Sequence, residues 1–136
     1  MSVIKSKRGE SSVQFLETAN EIQKHTLRQV VKHIPKRYTF YVSQKIIDSA
    51  TEANACVKRA NSIYPSNQRD ATLRREFFVR AYAEYQNLVS QITFAYEMFP
   101  MPDAAMTTWM ALINQELGLL KAVMKKDKER YKTLAE

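Results

Sequence analysis

The clearest helical periodicity in this sequence lies at residues 42–64, VSQKIIDSATEANACVKRANSIY. Its apolar and small side chains recur every three or four positions, at Val42, Ile46, Ala50, Ala53, Val57, Ala60 and Tyr64. Residues three and four apart share one face of a helix, so this spacing predicts a helix from about Tyr38 to Ser62. The small alanines on that face let a neighbouring helix pack closely.

Upstream of this helix, a second apolar periodicity covers residues 11–34. Its repeating positions are Leu16, Ala19, Ile22, Leu27, Val30 and Ile34. Pro35 disfavours the helical conformation of the residue before it, so the helix is expected to stop there. Residues 1–10 are polar and basic. They predict a flexible basic tail ahead of a single domain at residues 11–136.

Downstream, two more helices are predicted, each bounded by capping residues or prolines. Asn67, followed three residues later by Asp70, can cap a third helix that ends near Phe99, before two prolines. Asp103 can cap a fourth helix that continues to about Tyr131, and its charge suits the helix dipole. Short connections between long helices imply antiparallel neighbours. The predicted fold is therefore all-α, an antiparallel up-down-up-down four-helix bundle.

The composition gives little support for a secreted, membrane or catalytic protein. No apolar run approaches about 18 residues, so no signal peptide or membrane span is expected, and a cytoplasmic location is predicted. The chain has one cysteine, Cys56, which permits no internal disulfide. Its two histidines, His25 and His33, occur in no Glu-x-x-His pair, and no glycine-rich phosphate loop is present. We therefore predict a protein without enzymatic activity, metal or cofactor.

Positive charge is the strongest functional signal. Lys and Arg outnumber Asp and Glu by 21 to 14, which gives a net charge of +7 and suits an acidic partner such as nucleic acid. In the predicted topology, the end of helix two, the start of helix three and the end of helix four lie together. The cations predicted there to bind nucleic acid are Lys58, Arg59, Arg69, Arg74, Arg75, Arg80, Lys121, Lys125 and Lys126.

An ordinary solvated face is the alternative interpretation of this basic end. Cations near the end of helix four, such as Lys128, Arg130 and Lys132, are favoured by the helix dipole by a few tenths of a kcal/mol each. The dipole does not explain Arg74 and Arg75 in the first turns of helix three, where positive charge is mildly unfavourable. Backbone N–H groups at such a helix start attract anions.

Helices three and four carry more apolar positions than one bundle stripe needs. On helix four the two seams are Ala105, Trp109, Leu112, Leu119 and Val123, and Met106, Met110, Ile113, Leu117, Leu120 and Met124. The surplus predicts a homo-oligomer with an interface formed by Phe78, Tyr82, Tyr96, Met106, Met110 and Leu117. Diagonal packing of a broad stripe inside the monomer is the alternative.

Three segments carry a family resemblance: Ile34-Pro35-Lys36-Arg37-Tyr38-Thr39-Phe40, Ala60-Asn61-Ser62-Ile63-Tyr64-Pro65-Ser66-Asn67, and Arg74-Arg75. They resemble the four-helix-bundle proteins that include accessory variability determinants of diversity-generating retroelements and proteins encoded in intervening sequences of bacterial 23S ribosomal RNA genes. The resemblance spans roughly residues 12–132. The sequence is more similar to the retroelement branch, since the Ile-Pro-x-Asn-Ile-Ala-Glu-Gly turn of the ribosomal branch is missing.

The resemblance implies a homopentamer that binds nucleic acid and works with a reverse transcriptase. We therefore expect a non-enzymatic accessory subunit that binds RNA or single-stranded DNA and partners a retroelement reverse transcriptase. The alternative is a structural or protein-interaction homo-oligomer without nucleic-acid binding. Salt separates the two functions, because phosphate binding weakens steeply as salt rises whereas apolar assembly persists.

Overall fold

Four α-helices make up most of the described chain. The structure is a computed structural model that describes residues 3–136, with side chains from residue 14 onward. The helices are α1 (Val3–His33), α2 (Gln44–Asn61), α3 (Gln68–Met98) and α4 (Asp103–Tyr131). Residues 3–136 contain no strand, so the predicted all-α class is confirmed, and the architecture is consistent with a helical bundle. No helix in this range is long and apolar enough to cross a membrane.

Helix α1 begins earlier than predicted. The sequence suggests a tail at residues 1–10, but α1 already begins at Val3, and residues 1 and 2 lie outside the described residues. The helical residues 3–10 correct the predicted start of the helix at residue 11. Lysine, arginine and glutamate are good helix formers, and extending an existing helix needs no new nucleus. The flexibility of this segment stays a prediction.

The connection between α1 and α2 is helical but is wound differently from an α-helix. A 3-10 turn, Lys36–Tyr38, leads into a π-helical turn, Thr39–Ser43, and only then does α2 begin. The single helix predicted from Tyr38 onward is therefore divided. Pro35 is extended (φ −59°, ψ 143°), and its carbonyl accepts a hydrogen bond from the Tyr38 N–H at 2.9 Å, which closes the tight turn.

The predicted limits of α3 and α4 agree with the structure. The Asn67 side chain accepts a hydrogen bond from the Asp70 N–H at 2.8 Å, which confirms the predicted cap of α3. The predicted cap of α4 is wrong, because Pro102 occupies the capping position and the Asp103 carboxylate instead accepts a hydrogen bond from the Tyr96 hydroxyl. Asp103 still lies in the first turn, where its charge favours the helix dipole.

One core collects apolar side chains from all four helices. Its largest fully buried apolar members are Ile22, Val30, Ile46, Val57, Phe78, Tyr85, Leu88, Ile92, Trp109, Ile113 and Leu120. The Trp109 indole N–H donates a hydrogen bond to the Thr26 hydroxyl at 2.9 Å, and the His25 ring meets the indole edge-on at 5.6 Å. A buried indole needs such an acceptor, so a threonine occupies a core position of α1.

Two residues of the predicted seams are exposed. Leu27 is half exposed, because the adjacent Thr26 takes the inward position that Trp109 requires. Tyr64 is exposed, because α2 ends at Asn61 and the helical spacing does not continue to it.

Glu116 of α4 is a fully buried carboxyl (0 % exposed) within this core. Neither of its oxygens has a hydrogen-bond partner within the described residues, and the same holds for the hydroxyl of neighbouring Tyr85. Burial raises the pKa of Glu116 from 4.5 to about 8, and the nearby Tyr85 hydroxyl offsets only part of this shift. Glu116 is therefore mostly neutral at pH 7, since the neutral acid costs far less to bury than its anion.

Replacing Glu116 with glutamine (E116Q) is expected to remove a pH dependence of stability. In the wild type, the folded state keeps a proton that the unfolded chain releases above a pH of about 4.5. The contribution of this proton to the free energy of unfolding is fully present below that pH. It falls by about 1.4 kcal/mol per pH unit as the pH rises. The fall ends near the folded-state pKa of about 8. Urea titrations across this pH range measure the free energy of unfolding, and E116Q should lack the decline.

E97Q is the matched control for this measurement, because it removes an exposed carboxylate from α3. It should keep the wild-type decline of stability with pH. Identical pH profiles for E116Q and the wild type would contradict a neutral carboxyl at position 116.

Candidate nucleic-acid interface

Gln68 joins the start of α3 to the end of α4. Its backbone N–H donates a hydrogen bond to the Ala135 carbonyl at 2.7 Å, and its side-chain amide donates to the carbonyls of Tyr131 (2.7 Å) and Leu134 (3.0 Å). The last carbonyls of a helix have no partner inside that helix, so Gln68 supplies donors that the end of α4 lacks. The start of α3 and the end of α4 are therefore adjacent.

A groove of about 440 Å³ lies between α3 and α4 beside this junction, and we call it the basic groove. It is lined by Gln68, Ala71, Thr72, Arg75, Met124, Asp127, Lys128, Tyr131 and Lys132. Its three exposed cations are Arg75, Lys128 and Lys132. Among the described residues, only the last of these forms an ion pair, with Glu129 at 3.0 Å. Two cations of the groove therefore have no carboxylate partner in this part of the chain.

Lys128 and Lys132 belong to the basic groove, although the predicted binding residues end at Lys126. The sequence contains a signal for them. Met124, Lys128 and Lys132 are four residues apart, which places them on one face of α4 with the groove. Met124 is the apolar residue among the three, and it indicates that this face of α4 packs near α3.

The predicted cations outside the basic groove, Arg74 excepted, are exposed but lie on several surfaces. Arg80 lines a second concavity, of about 480 Å³, with Arg75 on α3. Lys125 and Lys126 line a third, of about 640 Å³, with Arg130 on α4. The exposed predicted cations outside these three concavities are Lys58, Arg59, Arg69 and Lys121. The structure thus brings together only part of the predicted site.

Two of these exposed cations contact neighbouring side chains. Arg59 forms an ion pair with Glu52 at 3.4 Å, and the Lys121 ammonium lies 5.5 Å from the centre of the Tyr82 ring. Exposed contacts of both kinds contribute little free energy. Either side chain is therefore held only weakly by its present partner.

Arg74 is not part of the exposed surface, which corrects its assignment as a nucleic-acid-binding residue. It is 7 % exposed, and its Nε donates to Asp127 Oδ2 at 2.7 Å. Its Nη1 donates to the carbonyls of Ala60 (3.2 Å) and Ile63 (3.1 Å) at the end of α2. These bonds connect α2, α3 and α4 and leave the guanidinium no face for a phosphate.

The position of Arg74 also has an electrostatic explanation. A cation near the start of a helix is mildly unfavourable, but the C-terminal end of a neighbouring helix is a negative pole. The guanidinium lies against the C-terminal end of α2 and beside a buried carboxylate, so its charge is compensated twice. The backbone N–H groups at the start of α3 are also partly used, by Asn67 and by the Ala135 carbonyl. The start of α3 therefore has fewer free backbone N–H donors than an uncapped helix start.

The residues predicted to form an oligomer interface pack largely inside the monomer. Phe78 is fully buried (0 % exposed), with its ring edge-on to Phe15 at 5.7 Å, so it cannot contact another copy. Tyr96 is exposed. The partly buried members that pack on the core are Tyr82, Met106, Met110 and Leu117. Phe78 is therefore a core residue, because Phe15 of α1 packs against it.

Three side chains that could carry chemistry, Glu21, His25 and Cys56, each contact a neighbouring group. No cluster of three or more His, Cys, Asp or Glu side chains in this part of the chain is placed to hold a metal ion. His25 Nε2 lies 3.2 Å from the Ala105 carbonyl, and Glu21 pairs with Lys24 at 3.5 Å. Cys56 is buried, and burial, together with Glu52, raises the pKa of its thiol and disfavours the reactive thiolate.

Searches against protein-family models, curated proteins and solved structures found no significant match to this chain. The family resemblance therefore stays a prediction.

Replacing Arg74 with methionine (R74M) is expected to destabilise the fold by about 3–5 kcal/mol, because it leaves the buried Asp127 carboxylate without its counter-charge. The free energy of unfolding from urea titration measures this loss. A second change, D127L, made in the R74M background should recover much of the lost stability, since an apolar pair of similar volume removes the unpaired charge.

The neighbouring Arg75 provides the control, because it is exposed and R75M should change stability by no more than about 0.5 kcal/mol. If R74M were as stable as R75M, Arg74 would not be the structural residue described here.

Proposed function

We propose that this protein is a non-enzymatic accessory subunit that binds RNA or single-stranded DNA through the basic groove. The observation that carries the proposal is the set of three exposed cations on one groove, Arg75, Lys128 and Lys132. Lysine and arginine side chains that converge on a concave surface suit a phosphate backbone. The net charge of +7 adds long-range attraction for any nucleic acid.

We also infer the antiparallel up-down-up-down order of the helices, which supports a shared basic end. Asn87 of α3 donates a hydrogen bond to Ser49 of α2, whereas Arg74, earlier in α3, bonds Ala60, later in α2. The contacts between α3 and α4 run in the same reversed order. Reversed contact order is what antiparallel neighbours produce. In this arrangement the ends of α2 and α4 lie beside the start of α3.

The partner enzyme and the copy number in our proposal come from the family resemblance. On that basis the protein acts in the cytoplasm as a homopentamer and holds template RNA or cDNA for a reverse transcriptase encoded beside it. Polymerases of this kind are usually basic, so a shared RNA is a plausible bridge between two cationic proteins. Co-purification from the native host, with and without nuclease, distinguishes an RNA bridge from direct contact. Absence of the polymerase in both samples would remove this part of the proposal.

A structural homo-oligomer without nucleic-acid binding is the alternative function. Exposed apolar side chains favour it, among them Val31 on α1 and Phe94 and Met98 on α3. Apolar contacts between copies persist at high salt, whereas phosphate contacts do not. Light scattering after size exclusion, at low and high salt, measures the copy number, and a monomer throughout would exclude this alternative and the homopentamer.

Reversing two charges of the basic groove, R75E/K128E, is expected to weaken the binding of a labelled single strand of about 20 nucleotides at least ten-fold in roughly 0.1 M salt. The physical reason is the loss of two phosphate contacts. Each lost contact should also reduce the slope of log affinity against log salt by about 0.7. Fluorescence anisotropy with oligo-uridine and oligo-deoxythymidine measures both quantities.

The matched control is K24E/R28E, which reverses one exposed lysine and one exposed arginine on α1, outside the groove lining. It changes the net charge equally and should reduce affinity much less. Equal losses in both double variants would mean that binding follows net charge and not the basic groove.

A further inference from the structure

Two large aromatic side chains face solvent in the π-helical turn Thr39–Ser43. Phe40 is 79 % exposed and Tyr41 is 76 % exposed, whereas Val42 and Ser43 of the same turn are buried. The buried pair attaches the turn to the core, so the exposed rings are held on a packed segment. π-Helical turns occur frequently at functional sites. The two rings contribute little to the core and are available to a ligand.

The chain around these rings carries only positive charge. Residues 30–47 contain no Asp or Glu, and their cations are Lys32, Lys36, Arg37 and Lys45. All four are exposed, and none forms an ion pair with a described residue. Covering them with an apolar protein surface would desolvate charge without a counter-charge, which is unfavourable. Phosphates would supply that counter-charge.

A concavity of about 260 Å³ opens between this turn and α3. Tyr41, Lys45, Phe94 and Gln91 line it, and the first three are exposed. The Gln91 side-chain oxygen is buried and accepts no hydrogen bond from the described residues. An amide offers both a donor and an acceptor, which matches the polar edge of a nucleobase. The concavity thus combines rings, a cation and an amide.

We propose that the π-helical turn is a stacking site for unpaired bases of a single-stranded nucleic acid. Phe40 and Tyr41 supply ring faces for the bases, and Lys36, Arg37 and Lys45 bind the flanking phosphates. Single-strand binding proteins combine aromatic faces and cations in this way, and each stacked base adds affinity with little dependence on sequence. A duplex keeps its bases stacked on one another, so it cannot use the rings.

This stacking site lies far from the basic groove along α3. Arg75 of the groove and Phe94 of the stacking site are separated by about 28 Å along the helix, at 1.5 Å per residue. A long strand can therefore reach both surfaces, whereas a very short one occupies either. The inference rests on the proposed nucleic-acid function and adds a preference for unpaired bases.

The test is the variant F40A/Y41A in the full chain. Loss of two stacked bases should weaken binding of an oligo-deoxythymidine at least ten-fold, and binding of a duplex of the same length should be unchanged. The salt dependence of single-strand binding should also be unchanged, because no cation is removed. A strand that carries 5-iodouracil should crosslink to Phe40 or Tyr41 on irradiation, and peptide mass spectrometry locates the crosslink.

F40Y/Y41F is the matched control, because it keeps both ring faces and exchanges only the hydroxyl position. It should bind the single strand as the wild type does. Both side chains are exposed, so neither double variant removes core packing, and circular dichroism verifies the helical content of each.

The outcomes separate this inference from the proposed function. If R75E/K128E weakens binding but F40A/Y41A does not, the stacking site is wrong and the basic groove stands. If the wild type binds no single strand, both fail. If F40A/Y41A alters only the mass in light scattering and leaves nucleic-acid affinity intact, the rings form a contact between copies and the stacking site is again overturned.

Discussion

The buried ion pair of Arg74 and Asp127 organises the end of the molecule that carries the basic groove. It joins α3 to α4, and the same guanidinium bonds the last carbonyls of α2, so three helices meet at one side chain. Breaking such a pair leaves an isolated buried charge, which makes each partner necessary once the other is present. This pair therefore holds together the two helices that carry the cations of the basic groove.

The sequence predicts what local signals determine and misses what distant contacts determine. Asn67 and the prolines around α4 specify helix limits within a few residues, so α3 and α4 agree closely with their predicted ranges. The sequence suggests that Arg74 is a surface cation, because its partner Asp127 is 53 residues away along the chain. Gln68, which joins α3 to the end of α4, has partners as far away in sequence and carries no local signal.

Two acidic side chains explain why α4 suggests two apolar seams. Its inward positions are Trp109, Ile113, Glu116, Leu120 and Asp127, all of them buried. Glu116 and Asp127 are not apolar, so the apolar periodicity of α4 omits both. The buried face of this helix therefore looks like two separate apolar seams in the sequence. The partly buried leucines and methionines of both apparent seams pack against the core of the monomer. The acids are tolerated for different reasons, since one is held neutral by burial and the other is paired with an arginine.

Trp109 gives the molecule a built-in optical reporter of its folded state. It is the single tryptophan of the chain, its indole is fully buried, and its N–H is bonded to Thr26. Emission from such an indole is blue-shifted relative to one in water, and it moves to longer wavelength when the core opens. The basic groove and the π-helical turn are lined by other residues. A ligand bound at either surface should leave the wavelength of this emission maximum unchanged. Fluorescence therefore distinguishes a variant that no longer binds from a variant that no longer folds.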